Sequence, residues 1–184
     1  LFKKEENLAL GNVVGSNIAN VCLVLGFSIL FKPILLKNKN DYKFSLIFLL
    51  IVTFFFAYFL FNNNLSGTEG LILFLFCIFY FIILIKYFSN NANIEKQSYK
   101  DTMKSFLFLS LGFLLLYIGS DIFVNGALGI SHKLGINDVA IGMTIVSIGT
   151  SAPELFTTFL AVKKKEENLG IGNIIGSNII NIVL

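Results

Sequence analysis

Charge is scarce in this chain, and so are the residues that carry covalent or redox chemistry. Only 14% of its 184 residues are Asp, Glu, Lys or Arg, while 55% are hydrophobic; ordinary soluble domains are about 25% charged. That balance excludes a water-soluble globule with a polar surface. Two cysteines, Cys22 and Cys77, and a single histidine, His132, supply neither a zinc-binding pattern nor a disulfide framework. Both cysteines fall inside apolar stretches, where packing is their expected role. His132, in "SHKLGIND", is expected in a short solvated connection. No nucleophile–base pair and no redox motif occurs, so an enzyme is not expected and no cofactor is called for. The net charge of +3 does not point to nucleic acid either. No basic stripe interleaved with aromatics exists, and every lysine sits in a connection beside an apolar run. No low-complexity linker separates domains.

What is present is long apolar runs, with 21 Phe and a mean hydropathy of +0.80. A helix of ~20 residues crosses a ~30 Å hydrocarbon layer. The sequence therefore predicts an all-α, polytopic helical membrane protein with about six spans, Leu8–Phe31, Phe44–Phe61, Glu69–Phe88, Ser105–Gly126, Val139–Val162 and Leu169–Leu184. The last run reaches only ~24 Å as helix, and the chain starts at Leu1 rather than Met. The expectation is a fragment whose remaining helices, at both ends, belong to the same polypeptide.

Alternating connections divide the lysines unequally. One side receives Lys3, Lys4 and Lys133, three in all. The other receives eleven, at positions 32, 37, 39, 43, 86, 96, 100, 104, 163, 164 and 165. By the positive-inside rule the rich side is cytoplasmic, which starts the chain outside. The Lys/Asn/Phe/Ile-rich composition suggests the inner membrane of a bacterium.

Two stretches nearly repeat each other: "KKEENLALGNVVGSNIANVCL" at Lys3–Leu23 and "KKEENLGIGNIIGSNIINIVL" at Lys164–Leu184. They agree at fourteen of twenty-one positions with a constant offset of 161. The copies open the first and sixth spans, so an odd number of crossings separates them and they traverse the membrane in opposite directions. Inverted repeats with the binding site at their interface are a recurring plan of secondary transporters; a duplicated packing element would also repeat.

The fifth span, "NDVAIGMTIVSIGTSAPELFTTFLAVKKK", places Ser147, Thr150, Ser151 and Glu154 in its middle. A membrane carboxylate costs at least ~2.5–3.5 kcal/mol and should be partnered or functional. Pro153 has no N–H and obstructs the Gly149 carbonyl, so a kink or break is expected beside Glu154. Hydroxyls, exposed carbonyls and one carboxylate are hard oxygen donors, suited to Na+ and Ca2+ rather than Zn2+ or copper. The plainer reading is a kinked packing helix whose Glu faces an aqueous vestibule. In the second repeat copy, Ser177 and Asn181 are four apart and share a helix face; Ser16 and Asn20 do the same in the first. Gly11 with Gly15, and Gly172 with Gly176, form small-xxx-small patches that close helix packing alone would explain.

At these residues the chain resembles the sodium/calcium exchangers of the calcium/cation antiporter superfamily. "GTSAPEL" with "GNIIGSNIINI" looks like the second conserved repeat, "ALGNVVGSNIANVCLVLG" the latter half of the first, and "YIGSDIFVNGA" the helix before the second repeat. The resemblance implies ten helices, of which these are the third to eighth. Residues 1–31 are then the end of the first repeat. Residues 32–104 hold two spans and a cytoplasmic loop, 105–136 the helix before the second repeat with a short outer loop, and 137–184 the second repeat, cut at its end. The resemblance makes Glu154 the bridging carboxylate. Thr150 and Ser151 become its neighbouring ligands, Ser147 a lining position, Ser177 and Asn181 the eighth-helix ligands, and Ser16 and Asn20 their third-helix counterparts. Some members carry Asp where Asn181 stands, which bears on stoichiometry and potassium dependence. Glu154 precedes Asn181 by 27 residues, so a symmetric carboxylate is expected about seven residues before Leu1. With one of two carboxylates, the 184 residues alone are not expected to transport.

The expected function is antiport, Na+ entering and Ca2+ leaving through one alternately exposed oxygen site in the lipid bilayer. The alternatives are a cation/proton exchanger and an uncoupled pore using the same oxygens. The fourth span, with Gly112, Gly119 and Gly126, is the candidate moving element, tight helix packing being the other reading of those glycines. Asp121, at its outer end, reads as a vestibule charge.

Overall fold

The computed structural model describes residues 2–31, 33, 40–62, 65–89 and 99–184, and every regular element among them is helical. The first rod is α1 (Phe2–Ala19), a π-helical turn (Asn20–Leu25) and α2 (Gly26–Phe31). Next come α3 (Asn40–Phe59), which ends in a 3-10 turn (Leu60–Asn62), and α4 (Gly67–Ser89). Ser66 and Glu69 start α4 as a reciprocal cap: the Ser66 N–H and hydroxyl donate to Glu69 Oε2 at 2.7 and 2.6 Å, the pattern expected of "SGTE" before an apolar run.

The long α5 (Tyr99–Leu134) stops at Gly135, which takes φ +66°, the left-handed conformation that favours glycine after a helix. The fifth span is broken into α6 (Asp138–Ile141), a π-helical turn (Gly142–Val146), α7 (Ser147–Thr150) and α8 (Ala152–Lys163), bent by 40° between Thr150 and Ala152. The last element is α9 (Glu167–Val183). Among the described residues four helices are long and apolar enough to span a bilayer, and the bent pair, taken as one span, makes a fifth. At 17 residues, α9 reaches only ~26 Å, short of a full span as its sequence predicts.

Two expectations need correction. Tyr99–Lys104, expected in a solvated loop, begins α5, and the "SHKL" expected in a connection ends it; residues 90–98 of that loop lie outside the described residues. Apolar composition marks the lipid-buried part of a helix, not its full length, and polar helical ends extend past it.

The core gathers around α9. Ile175, Ile179, Ile182 and Val183 pack with Phe48, Val52 and Phe56 of α3 and Leu73, Cys77 and Tyr80 of α4. The Phe48 and Tyr80 rings stack at 4.9 Å, and the Tyr80 hydroxyl donates to Ser45 Oγ at 3.2 Å. On their outer faces these helices expose Leu50, Phe54 and Ile85 by about two thirds or more. A soluble monomer rarely shows such a surface; lipid is its natural cover. A second cluster joins Ala127 of α5 to Ile141 and Val146.

The rods cross at two kinds of contact. Gly11 and Gly142 face each other so closely that a Cβ on Gly11 would lie 2.6 Å from the Val139 carbonyl oxygen, and one on Gly142 2.6 Å from that of Leu8. A Cβ on Gly15 would meet the Met143 backbone at 2.6 Å. Small residues thus let α1 and the α6–α7 segment touch backbone to backbone, running in the same direction. Against α9 the first rod runs the opposite way: Asn17 meets Asn181, and Asn20 meets Asn178.

Candidate cation site

The two repeat copies lie five spans apart in the chain, and the broken helix lies four spans after the first and one before the second; all three come together through side-chain oxygens and amides. The break sits where Pro153, in the first turn of α8, cannot continue the backbone ladder of α7. Ser151 occupies it at φ −87°, ψ 0°, its N–H donating to Ser147 O at 3.0 Å. Glu154 follows in the first turn of α8, where the helix N-terminus favours a negative charge. The α8 segment packs against both the π-helical turn that begins at Asn20 and α9, and so lies against both copies.

The first copy meets the break at Ser16 and Asn12. Ser16 Oγ is 3.0 Å from Thr150 Oγ1, and both hydroxyls reach Asn12 Oδ1, at 3.2 and 3.0 Å. The three oxygens form one hydrogen-bonded group that ties the first copy to the turn before the break. Ser147, 1% exposed, turns its hydroxyl back to the Met143 and Thr144 carbonyls at 2.8 and 2.9 Å, directly under Gly15.

Between the copies, Asn20 Nδ2 donates to Ser177 Oγ at 3.0 Å and to Asn178 Oδ1 at 2.9 Å. Asn181 Nδ2 donates to Asn17 Oδ1 at 3.1 Å. In the second copy, Asn173 Nδ2 reaches Thr157 Oγ1 at 2.8 Å, Thr158 Oγ1 at 3.2 Å and the Glu154 carbonyl at 3.5 Å. Three buried oxygens find no hydrogen-bond partner among the described residues: Asn20 Oδ1, Ser151 Oγ and Glu154 Oε2. An unmatched polar group of this kind costs ~1–3 kcal/mol. Amide, hydroxyl and carboxylate oxygens are all donor types that hard cations accept. No cluster of three or more His, Cys, Asp or Glu occurs among the described residues, so the donor set is hydroxyl, amide and a single carboxylate.

Hydrogen bonds link Ser16 with Thr150, and Asn20 with Ser177. Ser147, Ser151 and Glu154 sit on the broken helix, while Asn181 is held by its own asparagine partner. The expected symmetric carboxylate before Leu1 lies outside the sequence. Four asparagines were missed as participants, Asn12, Asn17, Asn173 and Asn178. Their signal was in the repeat itself, which places Asn at the same offsets in both copies. Of the glycines, Gly172 and Gly176 have nothing within 4 Å of a built Cβ, nor do Gly112, Gly119 and Gly126. Close packing therefore accounts for Gly11 and Gly15 of the first copy and not for Gly172 and Gly176 of the second, nor for the three glycines of α5. Asp121 is exposed.

The comparisons with known proteins agree with this architecture. A family model described as sodium/calcium exchanger protein matches residues 1–86 and 104–184. The chain is 37% identical to "Putative antiporter CaxA" of Alkalimonas amylolytica over 95% of its own length and 57% of the relative's. It is 46% identical to "Sodium/calcium exchanger MaX1" of Methanosarcina acetivorans over 44% of its length and 23% of the relative's. Among solved structures, the sodium-calcium exchanger NCX_Mj superposes with a TM-score of 0.66 at 33% identity, over 96% of this chain and 57% of that one. The chain thus spans 57–59% of the relatives that it matches nearly throughout. With its family pattern covering all but a short internal stretch, the chain is a helical membrane protein of the sodium/calcium exchanger family.

Proposed function

We propose that the full-length protein is a secondary antiporter that exchanges Na+ for Ca2+ across a cell membrane. Its ligand set is Ser16, Asn20, Ser147, Thr150, Ser151, Glu154, Ser177 and Asn181, with Glu154 as the bridging carboxylate. The observation that carries this reading is the trio of buried, unmatched oxygens, Asn20 Oδ1, Ser151 Oγ and Glu154 Oε2, contributed by the first copy and by the break. Coupling follows from competition: Ca2+ and Na+ cannot both occupy the bridging position at Glu154, so release of one permits binding of the other.

Alternating exposure is assigned to movement of α5 against the rest. Its described apolar residues are largely exposed, and its contact with the broken helix is narrow. The Phe123 ring fills the place where a Cβ on Gly149 would stand, beside the break that carries Thr150 and Ser151. The lysine distribution supports an inner membrane orientation with the Lys-rich loops cytoplasmic.

Uptake of radiolabelled Ca2+ into vesicles preloaded with Na+, using the full-length protein, tests the proposal. Uptake that requires the outward Na+ gradient and disappears in Glu154→Gln supports it. Uptake indifferent to Na+ reassigns the site to a cation/proton exchanger or an uncoupled pore.

A further inference from the structure

A side-chain amide has two ends of nearly equal shape, and only its oxygen can bind a cation. Something must hold the amides of Asn20 and Asn181 with oxygen, not NH2, towards the site. We propose that Asn178 and Asn17 are the positioning residues that do this, a pair of interhelical clasps that fix the orientation of the two ligand amides. The inference rests on the exchange reading above.

The two clasps are one device written twice. Adding 161 to Asn20 and Asn17 gives Asn181 and Asn178, and the bonds Asn20 Nδ2 to Asn178 Oδ1, 2.9 Å, and Asn181 Nδ2 to Asn17 Oδ1, 3.1 Å, exchange under that offset. In each, the ligand asparagine of one copy donates to the asparagine three residues earlier in the opposite copy. At Asn20 the consequence is visible. Both amide hydrogens are engaged, by Ser177 and Asn178, and Oδ1 is buried without a partner. Ser177 alone cannot enforce this, because a hydroxyl donates or accepts as its rotor turns. The Asn178 carbonyl oxygen only accepts. With the Asn178 oxygen kept where it is, flipping Asn20 would set carbonyl against carbonyl between residues that are 1% and 3% exposed, where water cannot substitute.

Groups that orient metal ligands typically change affinity by ~10–100-fold when removed. Ca2+ binding to the purified full-length protein is measured by calorimetry for wild type, Asn178→Leu, which keeps the size and loses the acceptor, and Asn178→Asp, which keeps an acceptor oxygen. The expected result is a Kd raised by about tenfold or more in Asn178→Leu and not raised in Asn178→Asp. A simple packing or gluing role would lower thermal stability without this split. A wild-type Kd in Asn178→Leu overturns the proposal, and so does equal weakening in both variants. If Asn178→Leu does not fold, Asn17→Leu against Asn17→Asp, at the half-buried clasp, decides by the same criterion. Wild-type protein that binds neither Ca2+ nor Na+ overturns the exchange reading itself, and this inference with it.

Discussion

The two ten-residue stretches Gly11–Asn20 and Gly172–Asn181 carry the same polar residues at the same spacing, yet they sit in different surroundings. In the first, both glycines are pressed against the backbone of the broken span, and Ser16 is tied to Thr150 and Asn12. In the second, the glycines have open space, and Ser177 gives its proton to the Ile174 carbonyl of its own helix at 3.1 Å. Asn12 reaches the hydroxyls beside the break, while its counterpart Asn173 reaches Thr157 and Thr158 further along α8. Only the asparagine clasps are shared. A repeat thus sets which side chains can meet. The neighbours decide which of them do.

The contrast between the glycines gives the largest expected effect. In the 184-residue chain, Gly15→Ala must displace the Met143 backbone and should cost about 1–3 kcal/mol. Gly176→Ala meets nothing and should gain up to ~1 kcal/mol of helix propensity. Thermal unfolding in detergent followed by circular dichroism measures both, and equal losses would break the comparison. Next come the amides. Asn20→Ala strands two acceptors in a dry interface and should destabilise by about 2 kcal/mol, against about 1 kcal/mol for Asn181→Ala, which loses one bond at a half-buried position. The same melting experiment on the same chain ranks them.

The smallest difference concerns the serines. Ser16→Ala removes a link to Thr150 at the break, worth about 1 kcal/mol, and should raise the KM for Na+-driven Ca2+ uptake about fivefold. Ser177→Ala leaves Asn20 held by Asn178 and should raise it less, under about twofold. Equal KM values in flux assays on the full-length protein would mean that the two serines act alike despite their different partners.

Much of this arrangement was legible in the sequence, and for identifiable reasons. Apolar length marked the spans, because lipid removes the ambiguity of a mixed surface. Pro153 beside Gly149 marked the break, because a missing N–H acts locally whatever surrounds it. The inverted direction of the repeats followed from counting crossings. The partners of the asparagines were less legible, since Asn12 and Asn173 occupy identical contexts and find different neighbours. The π-helical turns at Asn20–Leu25 and Gly142–Val146 had no signal at all. Both lie in the two rods that meet at the site, where such turns are frequent. The ends of α5 were misplaced because hydropathy reports immersion rather than helicity.

The central claim is that the two copies and the broken helix enclose one cation site at Glu154. Crystals of the full-length protein soaked in Ca2+ and examined by anomalous diffraction test it directly. The account predicts an anomalous peak about 2.3–2.6 Å from a Glu154 carboxylate oxygen, with Asn20 Oδ1 or Ser151 Oγ in the same shell. A Ca2+ ion bound elsewhere, with Glu154 facing only protein or water, would contradict it.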